Sequence, residues 1–294
     1  MKITKGKVDR KVMILIYGSG GAGKSFFASK FPEPVFMDAE GGTFHLDVSR
    51  LPQVTSLGDI QEQIAWLNKE KHSFQTLVID GLDHIDQMFQ DEIARNNHKQ
   101  TIGEIAHGKG WSLLIKTWAS LMEQLKALRD AKNMDIILIS HADDKIVENT
   151  ELGESYRRLK VKLTGKANNI VQEQVDAVLF CTHETYVIDG DRGAKKAYSE
   201  GKRVMHTEYS ARFDAKNRLG LPAKLTLDYG EFKKCLNQDL GPEQIRDTLR
   251  GMMPRITDED LRTKVIAKVK KAGDDVEQLT QVKSQVETII QTHA

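Results

Sequence analysis

A glycine-rich break between an apolar run and a helix-forming segment constrains this chain more than any other feature: Ile14-Leu15-Ile16-Tyr17-Gly18-Ser19-Gly20-Gly21-Ala22-Gly23-Lys24-Ser25-Phe26-Phe27. The apolar run, residues 12–17, has the continuous hydrophobic character of a strand buried on both faces. Gly18, Gly23, Lys24 and Ser25 fit G-x-x-x-x-G-K-[ST] without a mismatch. Glycines let successive backbone N–H groups point into one concavity, which attracts phosphate oxygens. Residues Gly18, Ser19, Gly20, Gly21, Ala22, Gly23, Lys24, Ser25 and Phe26 are therefore assigned to binding a nucleotide such as ATP. In that assignment Lys24 reaches the β- and γ-phosphates and the Ser25 hydroxyl takes a place on Mg²⁺. A chance glycine turn before a helix is the alternative, and the strand before and helix after argue against it.

The rest of the chain alternates strand and helix patterns. Apolar runs at residues 35–38, 74–80, 134–141 and 175–182 read as strands, and amphipathic stretches at 61–70, 85–95 and 111–131 read as helices. Such alternation implies an α/β fold with a mainly parallel central sheet covered on both faces. Residues 96–110 are polar and glycine-containing and suit a mobile loop. Residues 143–166 read as a basic, irregular segment, and 186–209 as a hairpin turning at Asp189-Gly190-Asp191-Arg192-Gly193. From about residue 231 only helical patterns remain, with Gly241-Pro242 opening one and Thr257-x-x-Asp260 capping the next. The expected division is a core at 1–230 and a small all-helical appendage at 231–294.

The chain has 294 residues and a net charge of +1, so no global basic field marks a nucleic-acid binder. Two cysteines, Cys181 and Cys235, provide no disulfide framework and suit a reducing compartment. No stretch reaches the roughly 18 apolar residues that a membrane span requires. The expectation is a cytoplasmic protein with no membrane partner.

Three further residues fit the chemistry of the loop. Asp80 closes an apolar strand, where a carboxylate can hold Mg²⁺ directly or through water; a helix cap is the bland reading. Hydrolysis needs a carboxylate that polarises the attacking water, and the strand after the glycine-loop helix ends in Asp38-Ala39-Glu40. A solvated turn before Gly41-Gly42 is the bland reading of Glu40. His141 ends the strand Ile136-Ile137-Leu138-Ile139-Ser140 and can donate a hydrogen bond to phosphate. Farther on stands Ala215-Lys216-Asn217-Arg218-Leu219-Gly220-Leu221-Pro222.

In this order, the motifs of residues 12–222 resemble the RecA-like P-loop ATPase core. The Asp-Ala-Glu context resembles the strand that carries the catalytic glutamate of RecA-type ATPases, and Lys-Asn-Arg resembles the motif of bacterial RadA. More narrowly, the chain is similar to phage-encoded RecA-core single-strand annealing and recombination proteins, often described as phage AAA-family nucleotide-binding proteins. The resemblance implies catalytic roles for Lys24, Glu40 and His141, the last as a sensor of the γ-phosphate. It also implies that Lys216 and Arg218 reach a neighbouring subunit's γ-phosphate, hence a homo-oligomer with sites at subunit interfaces. Single-stranded DNA is the implied partner, with a single-strand binding protein as a further one, in the cytoplasm of a bacterial host. Segments after Asp80 and His141 are where RecA-type proteins bind DNA, and the second offers Arg157, Arg158, Lys160 and Lys162. A solvated charged face is the bland reading of those cations. The zinc ribbon and protease-like domain of RadA have no counterpart. A helicase or loader motor and a P-loop small-molecule kinase are the alternative functions, and the kinase reading lacks an arginine-rich lid.

Overall fold

A computed structural model describes residues 10–149, 154–189, 195–238, 241–256 and 258–292. Strand β1 (Met13–Gly18) leads through the glycine loop into the short helix α1 (Lys24–Ala28). Then come β2 (Pro34–Asp38), β3 (Ser49–Arg50), α2 (Leu57–Lys69), β4 (Thr76–Asp80), α3 (Leu82–Asn96) and α4 (Lys109–Lys132). Strands β5 (Asp135–Asn149) and β6 (Glu154–Val161) precede α5 (Gly165–Gln174) and β7 (Ala177–His183). The hairpin β8 (Tyr186–Asp189) and β9 (Lys195–Tyr198) stands apart from the main sheet, which β10 (Arg203–His206), β11 (Lys216–Asn217) and β12 (Lys224–Thr226) rejoin.

The main sheet runs β12-β10-β7-β1-β5-β4-β2-β3. From β7 through β1, β5, β4 and β2 to β3 each pair of adjacent strands is parallel, while β10 and β11 pair antiparallel with β7 and β12 pairs antiparallel with β10. This is the expected mainly parallel α/β core. Strand β1 lies in its middle, and all six of its residues are buried, because it has a strand on each side and helices over both faces. Register places Gly18 beside His141 and Cys181, and Asp38 beside Asp80. The C-terminal ends of β1, β2 and β4 thus meet at one sheet edge, where β5 passes at His141.

Helix α4 buries Leu114, Trp118, Leu121, Met122, Leu125 and Leu128, a stripe at helical spacing, in the main core. Its indole N–H donates to Asp86 of α3 at 2.7 Å, so the largest buried side chain also satisfies its polar atom. Residues 96–110 are not simply a polar loop. Ile102 and Ile105 are buried in the same core, and α4 packs so closely on them that a Cβ at Gly110 would lie 2.6 Å from the Ile102 carbonyl oxygen.

The larger correction concerns residues 143–166, expected to be irregular. Strand β5 continues past the sheet and pairs antiparallel with β6 from Ala142↔Val161 out to Asn149↔Glu154, forming a two-stranded ribbon. Residues 190–193 of the expected hairpin turn, and the capping Thr257, lie outside the described residues. Asp258 is the N-cap that accepts from the Asp260 and Leu261 amides.

Contacts divide the chain into a larger unit, Lys11–Glu231, and a smaller unit that includes Phe232–Ala294. The boundary falls within α6 (Tyr229–Gln238), and the smaller unit goes on with α7 (Pro242–Met252), α8 (Glu259–Ala272) and α9 (Val276–Thr292). Ile245, Leu249, Ile256, Val265, Leu279 and Val286 form a core of their own.

Candidate functional site

The glycine loop is shaped by contacts that no side chain could share. A Cβ at Gly18 would stand 2.0 Å from the Cys181 carbonyl oxygen, so β1 and β7 can lie together here only through glycine. Gly23, at φ 93, adopts a left-handed conformation at the helix cap. Lys24 folds over the loop and is only 6% exposed; its ammonium donates to the carbonyls of Gly18 at 3.1 Å and Ser19 at 2.9 Å. Burial lowers its pKa, opposed by the charges of Asp80 and Glu40 among others. Phe26 projects outward from α1 with the Lys30 ammonium 4.5 Å from its ring centre.

Asp80 is buried at the end of β4 and accepts a 2.5 Å hydrogen bond from the Ser25 hydroxyl. Burial raises its pKa, with the Ser25 bond acting in the opposite direction. A buried carboxylate beside a hydroxyl, with its charge disfavoured, is an all-oxygen donor set of the kind a hard divalent cation such as Mg²⁺ takes.

Two carboxylates of Asp38-Ala39-Glu40 have different fates. Asp38 accepts from the Gly41 amide at 2.7 Å, the Gly42 amide at 3.3 Å, and both the amide and hydroxyl of Thr43 at 2.9 and 2.6 Å. Burial alone would raise its pKa, but the bonds from Thr43, Gly41 and Gly42 outweigh that and hold it below the usual carboxylate range. Asp38 thus braces the turn. Glu40 is exposed and lies against Gly81, where an added Cβ would stand 3.3 Å from the Glu40 Cβ. Its charge acts on both Lys24 and Asp80.

His141, beside Gly18 in register, hydrogen-bonds through Nδ1 to Asp83 at 3.1 Å. The Lys162 ammonium reaches the same carboxylate at 3.3 Å. Burial raises the Asp83 pKa, and the His141 and Lys162 contacts more than reverse it. Asp83 therefore joins the helix after β4 to the sheet edge and to the base of the ribbon. One turn on, Asp86 accepts from Trp118, Gln90 and the Thr164 amide, and the Thr164 hydroxyl also donates to it.

Lys216 and Arg218 do not join this group. Lys216 pairs with Val178 of β7, which lies beside Leu15 of β1, three residues from Gly18. At roughly 3.3 Å per residue that is about 10 Å toward the opposite sheet edge. The Lys216 ammonium donates to the carbonyls of Gln172, Glu173 and Val175 at 2.7, 2.9 and 2.8 Å and so closes the C-terminus of α5. Burial and then Arg218 lower its pKa. Three acceptor-only oxygens nevertheless require three donors, which only the ammonium form supplies. Arg218 is exposed and makes one 3.3 Å bond to the Glu173 carbonyl.

The four cations on or beside the ribbon also separate. Arg158 is 7% exposed, with its guanidinium 2.8 Å from Asp214, 2.9 Å from the Tyr209 hydroxyl and 3.3 Å from the Phe213 carbonyl. It fastens β6 to the 209–214 segment and is withdrawn from any ligand's backbone. Arg157 is exposed and pairs loosely with Asp144 at 2.9 Å, Lys160 is half-buried, and Lys162 is exposed beyond its contact with Asp83.

Sequence reasoning passed over Arg203. Its Cδ and Nη1 lie 3.0 Å from where a Cβ of Gly23 would stand, and Leu227 flanks the same spot at 3.2 Å. Its place follows from the antiparallel return of β10 beside β7, for which no local pattern gives a signal.

Among the described residues no helix is long and apolar enough to cross a membrane. The model of one protein family, described as "AAA domain", matches residues 10–219, well over half of the chain. A search of the curated proteins finds no match.

Proposed function

The chain belongs to this AAA domain family, whose members carry a nucleotide-binding P-loop, and from that premise we propose that it hydrolyses ATP in step with binding single-stranded DNA. The observation that carries the hydrolysis reading is the division of labour at the end of β2. Asp38 is consumed by the turn, which leaves Glu40 as the solvent-facing carboxylate whose charge reaches both Lys24 and Asp80. Glu40 then orients the attacking water and draws on its proton as the oxygen attacks the γ-phosphorus, while the bond from that phosphorus to the β–γ bridging oxygen breaks and ADP leaves. Lys24 exchanges the loop carbonyls for phosphate oxygens and balances their charge. Ser25 and Asp80 would hold Mg²⁺, which supplies charge neutralisation to the phosphates.

The DNA reading rests on the ribbon. It rises from His141, next to the loop, and Lys145, Arg157 and Lys160 lie on it, with Lys162 at its base. Asp83 bonds both His141 and Lys162, so a change at the phosphate end of His141 is felt at the ribbon's base. The resemblance to RecA-core annealing proteins favours strand annealing or pairing over a kinase, and Glu40 suits water better than an acceptor hydroxyl. Lys216 and Arg218 point away from their own loop. Any part they play in hydrolysis is therefore at the site of a second copy, as a homo-oligomer provides.

The test is steady-state turnover of ATP with and without a single-stranded oligonucleotide, alongside annealing of complementary strands. Turnover that rises with the oligonucleotide, together with faster annealing, supports the proposal. Phosphate transfer to a small acceptor in place of release to water overturns it, and ATP-driven unwinding replaces annealing by the motor reading.

A further inference from the structure

The larger unit also holds a pocket of about 480 Å³ between the ribbon base, β7, β10 and β12. That volume falls in the range of about 300–1,000 Å³ typical of small-ligand sites. Three rings stand together in its wall. Phe180 and Phe213 stack at 4.8 Å with 19° between planes, and His206 lies 4.8 Å from Phe213 and 6.1 Å from Phe180. Burial and then Lys224 lower the His206 pKa, which favours a neutral ring in the stack at neutral pH. The cluster is anchored: Phe180 packs on Tyr17 at 5.2 Å, and the Tyr17 hydroxyl donates to the Asp214 carbonyl at 2.6 Å.

The rim is cationic. Arg157, Arg212 and Lys224 line it from three different elements. Asp144 pairs with Arg157, and Glu184 pairs with Lys224. Arg212 is exposed, and among the described residues its side chain has no such partner. An aromatic wall with an uncommitted guanidinium at its lip suits a planar base that carries a phosphate.

Such a ligand has two sources, a free nucleotide or one unit of a strand. The register of the ribbon favours the strand. Asp144, Ile146, Arg157 and Leu159 share one ribbon face, because Asp144 opposes Leu159 and Ile146 opposes Arg157. That face lines the pocket at Asp144, Arg157 and Leu159, and Ile146, on the same rung as Arg157, is 74% exposed beside it. A free nucleotide uses one phosphate site and has no need of a track beyond it. Cations spread over three elements, Arg157, Arg212 and Lys224, fit successive phosphates of a backbone better than the single phosphate of a free nucleotide.

We propose that this pocket takes one base of a single strand of DNA, held by stacking on the partly exposed rings of His206 and Phe213, which Phe180 backs, with flanking phosphates on Arg212 and Arg157. The inference rests on the single-stranded DNA reading above and adds to it a specific binding place. It also accounts for an arginine, Arg212, that the sequence reading did not single out.

The test uses the full chain and an oligothymidylate in which one base is 5-iodouracil, cross-linked by light and mapped by mass spectrometry. Binding is followed by fluorescence anisotropy across a salt series. Cross-links to peptides containing His206 or Phe213 are expected, and they need no variant to fold. Arg212→Ala, which removes an exposed side chain, should lower affinity several-fold and flatten the salt slope by about one. His206→Ala, where it folds, should lower affinity about tenfold through lost stacking. If the oligonucleotide binds but cross-links only elsewhere, the pocket assignment fails while the DNA reading stands. If no oligonucleotide binds, both fail. If thymidine monophosphate competes as well as the strand at equal nucleotide concentration, the pocket serves a free nucleotide and the proposal is overturned.

Discussion

Replacing Lys216 with methionine separates the two jobs open to this lysine, a brace within its own chain and a cation for a neighbour's phosphate. The substitution keeps most of the length and apolar stem but deletes three hydrogen bonds to the carbonyls of Gln172, Glu173 and Val175. Hydrogen bonds to charged groups are worth about 1.5–3 kcal/mol each when taken singly. These three share one ammonium and are not additive, and methionine is spared the cost of desolvating a half-buried charge. The net loss is therefore about 2–3 kcal/mol. For a unit of this size, about 2–4 °C of melting temperature corresponds to each kcal/mol, so the variant should melt about 4–12 °C lower. The glycine loop lies about 10 Å away along β7, so the affinity of the folded variant for ATP should not change. Differential scanning fluorimetry and nucleotide titration read the two quantities. A variant that melts like the wild type but hydrolyses ATP a hundredfold more slowly would refute the brace. Arg218→Ala is the control for the neighbour's site, because its single 3.3 Å contact contributes little to the fold.

Other perturbations probe the site piece by piece. Gly18→Ala brings a Cβ to 2.0 Å from the Cys181 carbonyl oxygen and should unfold the site or cost about 3 kcal/mol or more, whereas Gly20→Ala meets nothing within 4 Å and should leave the melting of the nucleotide-free protein near wild type; equal effects on melting would refute the steric argument. Asp80→Asn should raise the melting temperature of the nucleotide-free protein at neutral pH while abolishing Mg²⁺-dependent turnover, because burial has raised the Asp80 pKa and its charge works against the fold. A fall in melting temperature would contradict that sign. Asp38 has a folded-state pKa below its ordinary value, so its contribution is present above about pH 4 and lost as pH falls through the lowered value. Wild type should accordingly out-melt Asp38→Asn at neutral pH and lose that lead in acid, and a lead that does not vary with pH would count against the turn bonds.

What could be read in advance follows how locally each role is encoded. Gly18, Lys24, Ser25 and Asp80 sit where spacing and a following apolar or helical run place them, and the structure brings Ser25 and Asp80 to 2.5 Å. The ribbon was opaque because Asp143, Asp144, Lys145, Arg157, Arg158 and Lys160 break the alternation that marks a half-buried strand. Its regularity comes from pairing between two solvated segments, and only its base touches the core. Arg158 looked like a free cation because its partner, Asp214, is 56 residues away. Lys216 was legible as part of a cationic motif, while its three carbonyl partners depend on where α5 ends. Asp38 and Glu40 stand two residues apart in an acidic turn, and only the geometry of Gly41, Gly42 and Thr43 tells which of them is spent.

Hydrolysis of ATP at this loop, with Glu40 as the group that activates water, is tested most directly by measuring both MgATP affinity and single-turnover hydrolysis for Glu40→Gln. The amide preserves the shape and the contact with Gly81 but cannot accept the water's proton. MgATP should bind within a few-fold of wild type, while hydrolysis falls by about 100-fold or more. Hydrolysis near the wild-type rate with affinity intact would contradict the assignment, for Asp38 and Asp83 are already committed to other partners.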